Sequence, residues 1–124
     1  MVTRRAGGVR VAVRSDWEGL YKVLSGRQVD PTAMLGAITR AHAFLEGAVR
    51  EAGVDKRDFP SFQRACEAAA ARRKASLPEA LTGAVALRNR LAHQSAEPKL
   101  HAVSEAVRVY ELAWCAITGQ SPVD

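Results

Sequence analysis

Read for its apolar positions, the chain falls into one short leading segment and four longer ones, each with a helical period. Trp17, Leu20, Tyr21 and Leu24 share a face of the first, which Ser15-x-x-Glu18 opens as a capping box and which stops near Gly26. The second is the most sharply delimited: Asp30 is placed to N-cap it, Pro31 suits the first helical position, and Gly53 lies just past its end. Within it Leu35, Ile38, His42, Leu45 and Val49 recur at intervals of three and four, flanked by Met34, Ala37, Ala41, Phe44 and Ala48. A face that wide suits the core of a bundle. His42 lies on it and reads as a core histidine with a local hydrogen-bond partner, no carboxylate or cysteine standing at ligand spacing. Asp58 is expected to cap a third long helix reaching Ala75, with Phe62, Ala65, Cys66, Ala69 and Ala70 inward. Ser76-x-x-Glu79 forms a second capping box, with Pro78 in the first turn of a helix that buries Ala80, Ala84, Leu87 and Leu91. That helix should end near Gln94, because Glu97 precedes Pro98. Pro98 begins the last helix, whose stripe is Leu100, Val103, Val107, Tyr110, Trp114 and Ile117, ending at Gly119.

Residues 1–14 have no helical period. Val9, Val11 and Val13 alternate with other residues as in a short edge strand, but no second strand is evident to pair with them. The segment reads as a basic arm, extended or disordered. The pattern therefore predicts an all-α protein, an antiparallel up-and-down four-helix bundle with a short extra N-terminal helix. The domain spans 15–119, between the arm and a tail at 120–124. At 124 residues, 48% of them apolar and 25% charged, the chain has the size and composition of one globular domain. No apolar run approaches the roughly 18 residues of a membrane span, and no signal-type segment follows the N-terminus, so a cytoplasmic protein with no membrane partner is expected. Cys66 and Cys115 fall inside helical patterns and read as reduced core residues.

The formal charge of +5 is unevenly spread. Residues 61–95 carry Arg64, Arg72, Arg73, Lys74, Arg88 and Arg90 against only Glu67 and Glu79, while residues 96–124 carry more acids than bases. Such a basic half can face a polyanion, or can simply be a solvated surface. If RNA is the partner, Arg90, Arg72, Arg73 and Lys74 are the candidate backbone contacts. The three histidines are scattered and there is no Cys-x-x-Cys or acidic cluster, so neither a metal nor another cofactor is expected.

One segment concentrates chemistry: Leu87-Arg88-Asn89-Arg90-Leu91-Ala92-His93-Gln94, in the final turns of a helix before the last one. It resembles the signature of the HEPN superfamily, an arginine followed at four to six residues by a histidine, with a polar residue such as asparagine directly after the arginine. Arg88-Asn89-x-x-x-His93 fits the shortest spacing, and the resemblance covers about residues 30–118. It implies a helical bundle whose motif closes the third main helix. It also implies a homodimer in which two motifs meet across a two-fold axis, and metal-independent cleavage of single-stranded RNA to 2′,3′-cyclic phosphate and 5′-hydroxyl ends. The resemblance further ties such proteins to toxin–antitoxin or antiviral defence systems with a partner protein. One branch of the family continues the motif to a tyrosine two residues after the histidine, the residue modified during neutralisation; here that position is Ser95.

Helix geometry adds its own constraint. At about 100° per residue, Arg88 and His93 lie some 140° apart around the axis, whereas Asn89 and His93 share a face. Either the last turn unwinds before Gln94, or the working set is assembled from two chains. In the second arrangement, which the resemblance favours, Arg88 clamps the phosphate, His93 moves protons near neutral pH, and Asn89 orients the histidine or the phosphate. The competing expectation is a non-catalytic module whose groove binds RNA, a nucleotide or a partner protein, the basic helix end being an ordinary C-terminal cap. A DNA-binding helix-turn-helix fits less well, since the helices are longer than that motif wants.

Overall fold

The computed structural model describes residues 5–6 and 9–123. Within the first ten residues Arg5–Ala6 (β1) pairs antiparallel with Val9–Arg10 (β2), Arg5 opposite Arg10 and Ala6 opposite Val9. The arm therefore finds the pairing partner that the sequence did not reveal, within itself. Beyond the ladder, Val11 and Ala12 are buried, so the end of the arm next to α1 joins the core. Five helices follow: α1 (Arg14–Leu24), α2 (Pro31–Glu51), α3 (Phe62–Ala71), α4 (Leu81–Ala92) and α5 (Leu100–Thr118), with a 3-10 turn at Lys56–Asp58. The protein is all-α, and its helices pack as a bundle. The long helices α2 and α5 lie against each other, and each also touches α1, α3 and α4.

Four helix starts differ from the expectation, two of them because of proline; α5 begins at Leu100 after an extended Lys99 (φ −121°, ψ 131°), two residues past Pro98. Helix α3 begins at Phe62, capped by Ser61, whose hydroxyl accepts from the Arg64 N–H at 3.2 Å. Asp58 cannot cap it, because Phe59 precedes Pro60 and is held extended at φ −126°, ψ 149°. Helix α4 begins at Leu81, not at the Ser76-x-x-Glu79 box. Leu77 precedes Pro78 and is likewise steered away from helical angles, and the Pro78 carbonyl instead accepts from the Leu81 N–H. Helix α1 begins one residue before Ser15, with Asp16 accepting from the Val13 N–H at 2.7 Å. Leu100, counted in the last apolar stripe, is 42% exposed at the start of α5.

The interior is one continuous apolar cluster. Trp17 of α1 meets Phe44 of α2 edge-on, with ring centroids 5.2 Å apart, and lies 5.7 Å from Trp114 of α5. Cys66 is fully buried and Cys115 half-buried, both free thiols, and burial pushes them up to about 12 and about 11, so both are held protonated. One carboxylate is also fully buried. Glu111 accepts from the Tyr21 hydroxyl (2.6 Å), the Arg108 guanidinium (2.7 Å) and the Val123 N–H (2.6 Å). Arg108 also donates to the Val123 carbonyl at 2.9 Å, so the last described residue of the tail is held by both its main-chain groups.

The four long helices end in left-handed residues. Gly53 follows α2 and Gly119 follows α5, as anticipated, while Lys74 follows α3 and Gln94 follows α4, each at φ +57°. Arg72 and Arg73, candidates for RNA contact, are spent on two of these ends. Arg72 Nη1 donates to the Ala52 carbonyl at 2.6 Å, and Arg73 Nε donates to the Ile117 carbonyl at 2.9 Å. Each satisfies a carbonyl that its helix leaves open. The glycines allow the approach, since a Cβ at Gly53 would sit 2.9 Å from Arg72 Nη1 and one at Gly119 would sit 2.5 Å from Arg73 Nη1. We expect Arg73→Ala to cost about 1 kcal/mol of stability, the net worth of one such bond. Gly119→Ala should cost more, through backbone strain and the clash together. Urea unfolding midpoints of the two variants check both.

Candidate functional site

Helix α4 carries the motif because Leu81, Ala84 and Leu91 anchor its inner side in the core. Its backbone stays helical to the end: the His93 N–H still bonds the Asn89 carbonyl at 3.1 Å. The last turn does not unwind before Gln94. Instead it closes through Gln94 N–H to the Leu91 carbonyl and Ser95 N–H to the Arg90 carbonyl, a Schellman ending. The Ser95 hydroxyl reaches the same Arg90 carbonyl at 3.1 Å.

On this unbroken helix the motif residues diverge. His93 and Arg90 are exposed. Arg88 is half-buried, its Nη1 donates to Asn89 Oδ1 at 3.0 Å, and its Nε is buried with no hydrogen-bond acceptor. The structure thus joins Arg88 to Asn89 and, within one chain, leaves His93 on another side of the helix. Lys74 is exposed at the end of α3.

Inward of Arg88 lies a polar pair that the sequence only half disclosed. His42 of α2 is 7% exposed, and its Nδ1 lies 2.8 Å from the Tyr110 hydroxyl of α5. Phe62 stacks over the imidazole with centroids 4.6 Å apart. The other ring nitrogen faces Glu46, 3.9 Å away and one turn further along α2, where sequence reasoning had seen no carboxylate at ligand spacing. Glu46 in turn holds Lys56 at 2.5 Å. Burial, reinforced by the positive charge of Arg88, pushes the His42 imidazole down to about 4, so it is neutral at pH 7. Burial raises the Tyr110 hydroxyl well above its ordinary range, and the nearby Arg88 partly offsets this. The neutral imidazole fits a proton on Nε2, toward Glu46, leaving Nδ1 to accept from Tyr110. Groups from α2, α5 and the 3-10 turn therefore form one line, Lys56, Glu46, His42, Tyr110, with the charge of Arg88 on α4 felt at both His42 and Tyr110. The spacing of His42 and Glu46 was visible in the sequence; Tyr110 looked only like part of an apolar stripe.

Two surface depressions adjoin the motif helix. A groove between α4 and α5 is lined by Gly83, Ala84, Leu87, Ala102, Ala106 and Val109 among others. A smaller cavity of about 210 Å³ lies at the α4–α5 corner, against the first turns of α2. Among the described residues no group of three or more His, Cys, Asp and Glu side chains is arranged to hold a metal ion, and no helix is long and apolar enough to cross a membrane. No protein-family model, curated protein or solved structure matches the chain.

A neutral His42 makes stability depend on pH. Its folded pKa of about 4 lies below the ordinary 6.5, so the contribution is complete above about pH 6.5 and is lost as pH falls toward 4. Linkage puts it at no more than about 3 kcal/mol. Replacing the group by His42→Gln should flatten that part of the stability–pH curve, measured by urea unfolding from pH 7 to pH 4.

Proposed function

We propose that the protein is a HEPN-type, metal-independent endoribonuclease that acts on single-stranded RNA in the cytoplasm as a homodimer. The observation that carries this reading is the end of α4, where an exposed His93 stands one turn beyond a guanidinium tethered by Asn89. Because the helix is unbroken, one chain offers the histidine and the arginine in different directions, and a second copy supplies the missing partner. The small residues of the α4–α5 groove permit close approach of that copy.

In the composite site, one His93 takes the proton from a 2′-hydroxyl, whose oxygen attacks the adjacent phosphorus. The other His93 protonates the departing 5′-oxygen, giving a 2′,3′-cyclic phosphate and a 5′-hydroxyl. Arg88 stabilises the charge on the pentavalent phosphorus, and Arg90 contacts the backbone. A toxin or antiviral effector role, with a neutralising partner protein, follows from the resemblance alone. The second reading, a non-catalytic module that binds RNA, a nucleotide or a protein, draws on the half-burial of Arg88, which ties that group to the bundle interior.

The purified protein should cleave single-stranded RNA in EDTA, leaving cyclic-phosphate ends by mass spectrometry. His93→Ala and Arg88→Ala should each reduce cleavage by on the order of 10²-fold or more. Mixed with an excess of His93→Ala chains, the wild-type protein should lose activity, since a mixed dimer holds only one of the two histidines that the reaction uses. Saturable RNA binding without scission would replace the enzyme by the binding module.

A further inference from the structure

Gln94 occupies the left-handed position that ends α4, at φ +57°. At the ends of α2 and α5 the same role falls to Gly53 and Gly119, which adopt that backbone without a side-chain penalty. Strain alone does not single Gln94 out, since Lys74 has the same angle after α3. What does is the cavity it lines, about 210 Å³ in volume, with Leu91, Ala96 and Pro98 from the α4–α5 corner and Pro31, Thr32 and Leu35 from α2.

We propose that this cavity is a nucleobase subsite for RNA, with Gln94 reading the edge of the base. The inference rests on the ribonuclease reading for its substrate and adds the feature that would select it. None of the lining residues is charged, so the part of a ligand that enters is neutral. The volume is below the roughly 300–1,000 Å³ of pockets that enclose drug-sized ligands, which suits one unstacked base better than a whole nucleotide. Proline rings and leucine side chains offer an apolar bed for its faces. The Gln94 amide, with a donor and an acceptor side by side, matches the paired donor and acceptor of a base edge. Charged groups stand outside the cavity instead: Arg90, one turn before Gln94, and Lys99, directly after Pro98, are exposed, as are the acidic Asp30 and Glu97 beside Pro31 and Pro98. A neutral hollow takes the uncharged base and leaves the phosphate outside, where Arg90 and Lys99 are the cations nearest in the chain.

The decisive variant is Gln94→Gly, which removes the amide and relieves the backbone, so it should fold and its Tm should rise. The full-length protein is titrated with each of the four ribonucleoside 3′-monophosphates and with ribose 5-phosphate, following by NMR the Leu35 and Leu91 methyls and the Gln94 side-chain amide. We expect saturable shifts at these groups that differ among the four bases and are absent with ribose 5-phosphate. Gln94→Gly should weaken binding of the preferred nucleotide about fivefold, as expected for lost hydrogen bonds. Equal shifts from ribose 5-phosphate, undiminished binding by Gln94→Gly, or no saturable shift at these groups would overturn the subsite. Base-dependent shifts in a protein that leaves RNA uncut would overturn the nuclease reading alone. Cleavage without base-dependent shifts would overturn the subsite alone.

Discussion

The bundle turns on the seam between α2 and α5, and that seam closes around one neutral polar pair, His42 and Tyr110. Ile38, Leu45, Val103 and Val107 fill the buried faces of these helices, and apolar contacts of this kind tolerate a shift of one helix along the other better than a hydrogen bond does. A slip of one turn would leave an imidazole and a phenol buried without partners, at a cost of a few kcal/mol. The 2.8 Å contact between them therefore sets the register of the seam. Phe62 stacks on the same imidazole and brings α3 to it, while Glu46 and Lys56 tie in the turn after α2.

The neutrality of that pair also governs Arg88. A guanidinium can sit half-buried beside an uncharged imidazole and an uncharged phenol; beside an imidazolium it would meet a like charge in a medium that screens poorly. Burial and Arg88 both depress the basicity of His42, so the arginine's position and the histidine's protonation state support each other. The placement of the motif arginine is thus a property of the core, set by residues on α2 and α5 as much as by its own helix.

The sequence disclosed what is periodic and local. The apolar stripe of α2, its Asp30 cap and Pro31 start, and the glycines after α2 and α5 all follow from side-chain spacing and backbone permissiveness. What it concealed depends on contacts between distant residues. Glu111 lies four residues after Val107 and three before Trp114, on the buried face, where nothing local accounts for a carboxylate; its partners Tyr21, Arg108 and Val123 come together on it only in the fold. Arg72 and Arg73 looked like part of a cationic surface because nothing local shows that the ends of α2 and α5 lie within their reach. The false starts of α3 and α4 had a different origin: Asp58 and Ser76 have capping side chains, but Pro60 and Pro78 disfavour helical angles at the residues before them, Phe59 and Leu77. The motif was the most legible part of the candidate site, and the line from Lys56 to Tyr110 behind it the least.

The end of α4 shows how a few residues can be given separate tasks by backbone geometry alone. A Schellman turn changes chain direction over two residues, so consecutive side chains leave the helix along different lines. His93, still in helical register, stays in solvent. Gln94, in the left-handed region, lines the corner cavity, and Ser95 turns back onto the Arg90 carbonyl. The serine is short enough for its hydroxyl to close that bond, whereas a tyrosine at the same place would carry its hydroxyl away from the helix end. The departure of Ser95 from the tyrosine-bearing pattern thus has a structural counterpart: here the position helps finish the helix, and His93 before it stays exposed.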